Sequence, residues 1–153
     1  MSFGPTVDPV LLPPKIEVLA ISYLKNTLSP TLVVTKLPDP IDDAEPVTEA
    51  GSVAGILRVE AAGGFRANRF QYDMQCLLHG YSSDEDTANY IADQAIALMA
   101  AARGQTVSDT VSNWYVVGVM NVVVAHRLTD PDVILPRYRA MVTWRVAGQP
   151  WNP

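Results

Sequence analysis

One stretch limits the possible folds more than any other, the run from Tyr81 to Gly104 set between two long strand-like segments. Ala88, Ile91, Ala92, Ala95, Leu98, Met99 and Ala102 recur at the 3.6-residue period, while Asp93, Gln94 and Arg103 keep largely off that stripe. The spacing predicts an amphipathic helix. Ser82 with Glu85 three residues on reads as a capping box, Asp84 and Asp86 add negative charge where the helix macrodipole is positive, and Gly104 is a stop signal. The alanines on the stripe allow a close seat against a sheet.

Ahead of this helix, Pro5, Pro9 and Pro13 make residues 1–12 an extended arm, and Pro14 opens a first helix reaching about Leu28, before Pro30. Ile16, Leu19, Ala20, Tyr23 and Leu24 form its main apolar face. Val18 and Ile21 lie off that face, so this helix is either buried on two sides or meets another subunit. Thr31 to Leu37 reads as a strand, and Pro38 to Ser52 as a long proline-bearing loop carrying Asp39, Asp42, Asp43, Glu45 and Glu49 with no basic residue. Loops of this length inside a domain are functional or unstructured. The acidic run suits first a solvated loop, and the sharper alternative is a patch that meets a basic one on a neighbouring copy.

Val53 to Ala61 is a second strand, with a turn expected at Gly63-Gly64, and Phe70 to Leu78 is a third. In the third, Phe70, Tyr72, Met74, Cys76 and Leu78 share a face against Gln71, Asp73, Gln75 and His79. After the central helix, Val111 to Leu128 and Arg137 to Val146 form a long antiparallel hairpin around Asp130-Pro131-Asp132, and residues 148–153 are a tail in which Trp151 could dock on a neighbour. The order α-β-β-β-α-β-β describes one α+β domain over residues 13–147, two helices on a mostly antiparallel sheet of about five strands.

The 153 residues suit a single domain, and 48% apolar content gives it a substantial core. A net charge of −5 argues against dense contacts to nucleic acid phosphates or anionic membranes. A single cysteine rules out an intrachain disulfide, and no apolar run is long enough to cross a membrane as a helix. His79 and His126 have no metal-ligand spacing, Cys76 shares an apolar face, and Gly63-Gly64 lacks the lysine of a phosphate loop. No catalytic, cofactor or metal site is expected.

Val33-Val34-Thr35-Lys36-Leu37-Pro38, the helix ending Met99-Ala100-Ala101-Ala102-Arg103-Gly104 and the closing Arg137-Tyr138-Arg139-Ala140-Met141-Val142-Thr143-Trp144-Arg145-Val146, in this order of elements, resemble the tail terminator (tail completion) proteins of long-tailed, siphovirus-type phages. The likeness runs from about Leu12 to Val146 and is nearest to proteins of phages that infect actinobacteria. The acidic loop at 38–52 and the arm before Pro13 depart from the shorter forms of that family.

The resemblance implies a structural virion protein and not an enzyme. Such proteins form a hexameric ring on the head-proximal end of the tail tube, stop its polymerisation and present a surface to the neck. The implied partners are further copies of the chain, the major tail tube protein and a neck or stopper protein, with DNA passing through without specific binding. The implied location is the neck region of the virion, assembled in the host cytoplasm. A ring needs two different faces meeting head to tail, for which Val18 and Ile21, and Arg137, Arg139 or Arg145 against the acidic loop of a neighbour, are the candidates. The alternatives are a neck adaptor or, from another class, a small-molecule-binding domain with a pocket between hairpin and helix near Trp114, Tyr115 or Trp144.

Overall fold

The expected central helix forms as α2 (Glu85–Ala100), and the other helix as α1 (Ile16–Leu24). The computed structural model describes residues 12–25, 27–28, 31–36, 47–48, 51–52, 55–109, 112–129 and 135–148. Its strands are β1 (Leu32–Val34), β2 (Val47–Thr48), β3 (Gly51–Ser52), β4 (Ile56–Asn68), β5 (Gln71–Tyr81), β6 (Thr106–Ser108), β7 (Asn113–Leu128) and β8 (Arg137–Gly148). Six of them make one sheet in the order β1-β4-β5-β8-β7-β6, antiparallel except for the parallel pair β1–β4, and β2 and β3, two residues each, pair antiparallel apart from it. The mixed α+β architecture is as expected.

The strand details differ from the expected five. A short strand, β6, follows α2 and pairs with the start of β7. The expected turn at Gly63-Gly64 is instead an irregularity within β4, where the register against β5 slips between Ala61 and Gly64. Gly63 takes φ +90°, a left-handed value that only glycine adopts freely, so the pair reads locally as a turn while the strand continues past it. The chain reverses at Arg69 and Phe70, leaving Phe70 outside the strand and exposed. The arm (apart from Leu12), the acidic loop residues Asp39, Asp42, Asp43, Glu45 and Glu49, Asp130-Pro131-Asp132 and Trp151 lie outside the described residues.

Both helices pack on one face of the sheet. Ala88, Ile91, Ala92, Ala95 and Met99 of α2 are buried there as the period required, together with Ile96, while Leu98 is half-buried. They meet Cys76 and Leu78 of β5, Ala140, Val142, Trp144 and Val146 of β8, and Val116 of β7 in one core. Trp144 is fully buried, and its Nε1–H donates to the Met99 carbonyl at 2.9 Å, satisfying both an indole donor and a helix C-terminal acceptor. The Tyr23 ring meets that indole edge-on at 5.6 Å, and its hydroxyl donates to the Leu98 carbonyl at 3.0 Å, which ties α1 to α2.

The N-terminal signal of α2 is realised one step along from the expected box. Asp84, not Ser82, is the cap, accepting from the Thr87 N–H at 3.2 Å, while Ser82 Oγ accepts from the Asp84 N–H. Glu85 is thereby released to the hairpin, where Arg127 and the Tyr138 hydroxyl both donate to its Oε1 at 2.8 and 2.9 Å.

Gly80 sets how close α2 comes to the sheet. A Cβ at this position would stand 2.4 Å from the Ala88 carbonyl oxygen and 3.3 Å from the Ala92 side chain, so only a bare α-carbon allows the contact. Gly80→Ala is expected to destabilise the fold by about 1–3 kcal/mol, as overpacking does. Urea unfolding checks this through a lower midpoint at an unchanged m-value.

Candidate assembly surface

The face of the sheet away from the helices is largely polar, with a second apolar cluster of Ile56, Tyr81 and Leu135 at one end, and parts of it are deeply buried. Register places Arg58, His79 and Arg139 side by side on β4, β5 and β8, with His126 of β7 next in line. Asp73 and Arg145 are paired in the same way further along. Alternation on β5 therefore separates two unlike surroundings, a dry core for Cys76 and Leu78 and a charged layer for Asp73 and His79.

Arg145 is engaged within its own subunit. Its Nε and Nη2 donate to the two carboxylate oxygens of Asp73 at 2.7 and 2.9 Å, and the Asp73 carboxylate is only 3% exposed. Such a fork is geometrically demanding and fixes both side chains. The sequence expectation that Arg145 reaches a neighbouring chain thus competes with a contact it already makes. Arg137 and Arg139 are half-buried at the other end of β8. Val18 and Ile21 are both half-buried on α1, and Ile21 packs against the main core. The acidic loop set that was their counterpart lies outside the described residues.

His79 is 3% exposed and sits 2.8 Å from Glu60 through Nε2, while Nδ1 has no hydrogen-bond partner. Burial pushes its pKa down from an ordinary 6.5 to about 4, against the Glu60 contact, and the nearby positive charges of Arg58 and Arg137 act in the same direction as burial. The imidazole is neutral at pH 7, with its proton on Nε2 facing the carboxylate. Cys76 is equally removed from chemistry, since burial first, and then Glu17 and Glu60, push its thiol up to about 12. Among the described residues no three His, Cys, Asp or Glu side chains gather as a metal site.

The described residues include concavities at two places. One of about 560 Å³ lies at the end of the sheet beside Thr106, Asn113, Tyr115 and Gly148, and one of about 240 Å³ lies on the polar face between Phe65, Gln75, Met120 and Thr143. Of the three aromatics expected near a pocket between hairpin and helix, Trp114 and Tyr115 both line the larger concavity, which lies at the end of the sheet, while Trp144 is buried in the core.

The residues that stand out were not singled out from the sequence. Val122, Val123 and Val124 are exposed, Val124 by 70%, in the middle of β7. Three consecutive valines are apolar on both faces of a strand, so their lack of alternation was the available signal. Among the described residues β6 pairs with β7 only over Asn113–Tyr115, and the loop at Gly104 and Gln105 bonds Val116, so the flank of β7 beyond Val116 has no strand beside it. No described helix is long and apolar enough to cross a membrane. No protein-family model matches the chain, and no curated protein sequence is significantly similar to it.

The buried histidine makes stability depend on pH. Its folded pKa lies below the unfolded value, so between about 6.5 and 4 the unfolded chain binds more protons. The contribution is fully present above about 6.5 and is lost as pH falls toward about 4. Urea midpoints measured across that window should fall with pH in the wild type and fall less steeply in His79→Gln. Asp73→Asn should lower the midpoint at pH 7, because it strips the charge from a buried partner of Arg145.

Proposed function

We propose that this chain is a structural assembly subunit, a tail terminator that closes as a hexameric ring on the head-proximal end of a siphovirus-type tail tube. The observation that carries the reading is the exposed Val122–Val124 run on the flank of β7 that no described strand accompanies, a surface suited to another chain. The two-helix α+β architecture, with the closing segment Arg137–Val146 inside β8 at the centre of the sheet, agrees with what the sequence resemblance implies. The titratable groups point the same way. His79 is neutral and walled in, and the Cys76 thiol is held protonated, so each serves structure in the subunit.

In this reading the ring meets the tube protein on one side and a stopper or neck protein on the other, and DNA passes through it. The net charge of −5 favours passage over retention, since phosphate contacts from dense Lys and Arg would hold the DNA. The virion neck is the resulting location, with assembly in the host cytoplasm.

Electron microscopy of lysates from the parent phage, with translation of this chain stopped early, tests the proposal. Overlong headless tubes beside filled tailless heads are expected. Tubes of normal length that fail to join heads would move the assignment to a neck adaptor, and normal particles would overturn both.

A further inference from the structure

The sheet has a second flank like that of β7. β1 accompanies β4 only over Ile56–Arg58, so among the described residues the outer side of β4 from Val59 to Asn68 has no strand against it. Among the described residues, both long outer strands of one sheet thus present backbone N–H and C=O groups along an edge that no strand pairs. Natural edges are guarded by charge, proline or β-bulges, and at two places here charge and proline are both missing and only bulges interrupt the edge. Val116 to Ala125 on β7 holds no charged residue and no proline, and neither does Ala61 to Phe65 on β4.

These two windows lie at the same height on opposite sides of the sheet. Val123 is in register with Met141, Met141 with Leu77, and Leu77 with Glu60, next to Ala61. The side chains are also unequal in a complementary way. β7 offers exposed valines, while β4 offers Ala61, Ala62, Gly63 and Gly64, all exposed and small. Three successive antiparallel pairings make β4 run opposite to β7. A copy displaced sideways and rotated about an axis along the strands therefore brings β7 beside β4 of the next subunit as an antiparallel pair.

We infer that copies of this chain join edge to edge, β7 of one subunit hydrogen-bonding to β4 of the next, with the Val122–Val124 run against the Ala61–Gly64 segment. The two edges differ, so the contact is head to tail and closes only by rotation, as a ring does. The register slips in β4 and the three in β7 bend both edge strands, which sets the angle between successive copies. The inference rests on the ring reading above and supplies its subunit contact.

Disulfide trapping in the full-length chain tests it. Cysteines are placed by Ala62→Cys and Val122→Cys in a Cys76→Ala background, with unchanged circular dichroism and urea midpoint as the check that these exposed positions leave the fold intact. Mild oxidation should give a ladder of chains whose links map from position 62 to position 122, and mixing the two single variants should give only the mixed dimer. Links from 122 to 122, or no linkage beyond that of a control pair at Tyr90→Cys and Ala97→Cys on α2, would overturn the edge contact. The ladder needs no tail tube, so the two readings fail separately. A 62-to-122 ladder with normal particles in the phage experiment removes the terminator and keeps the interface. Overlong tubes with 122-to-122 links remove the interface and keep the terminator.

Discussion

The seat of α2 on the sheet is the contact on which the remaining structure depends. A helix backbone approaches a strand this closely only where both surfaces are small, and here Gly80 lies under Ala88 and Ala92. The close approach brings the end of α2 within hydrogen-bonding reach of Trp144, whose indole closes the Met99 carbonyl, and Tyr23 of α1 packs on the same indole. At the other end, Glu85 holds the β7–β8 hairpin through Arg127 and Tyr138. One helix thus sets the position of the other helix and of the longest hairpin.

The polar face is constrained by a different force. A charge removed from water needs a partner, and the buried Asp73 has one in Arg145, while the half-exposed Glu60 meets His79 and Arg58. The Asp73–Arg145 and Glu60–His79 pairs join β5 to β8 and β4 to β5 on the face opposite the main apolar core. Their cost is that Arg145 is occupied inside the subunit. A subunit contact is therefore better sought in backbone groups and exposed valines than in that guanidinium.

Periodicity made much of the fold legible. The stripe of α2, the apolar face of α1 and the alternation of β5 and β8 each announce one buried surface, and such patterns survive because burial acts residue by residue along the chain. Gly63-Gly64 misled the reading because a positive-φ glycine looks alike in a turn and in a bulge, and only the pairing of β4 with β5 separates the two. The cap at Asp84 was ambiguous for a similar reason, since Ser82 and Asp84 both carry capping chemistry.

What the sequence determined by itself was the class, two helices on a mostly antiparallel sheet, because hydrophobic spacing is a local property that dictates each element and its buried face. Tertiary structure alone decided which strands lie at the edges, that β1 runs parallel to β4, and that Arg145 meets Asp73. The physical reason is that hydrogen bonds between strands and salt bridges across them join residues tens of positions apart. Their partners are set by the order in which strands stack, which no local pattern of side chains encodes.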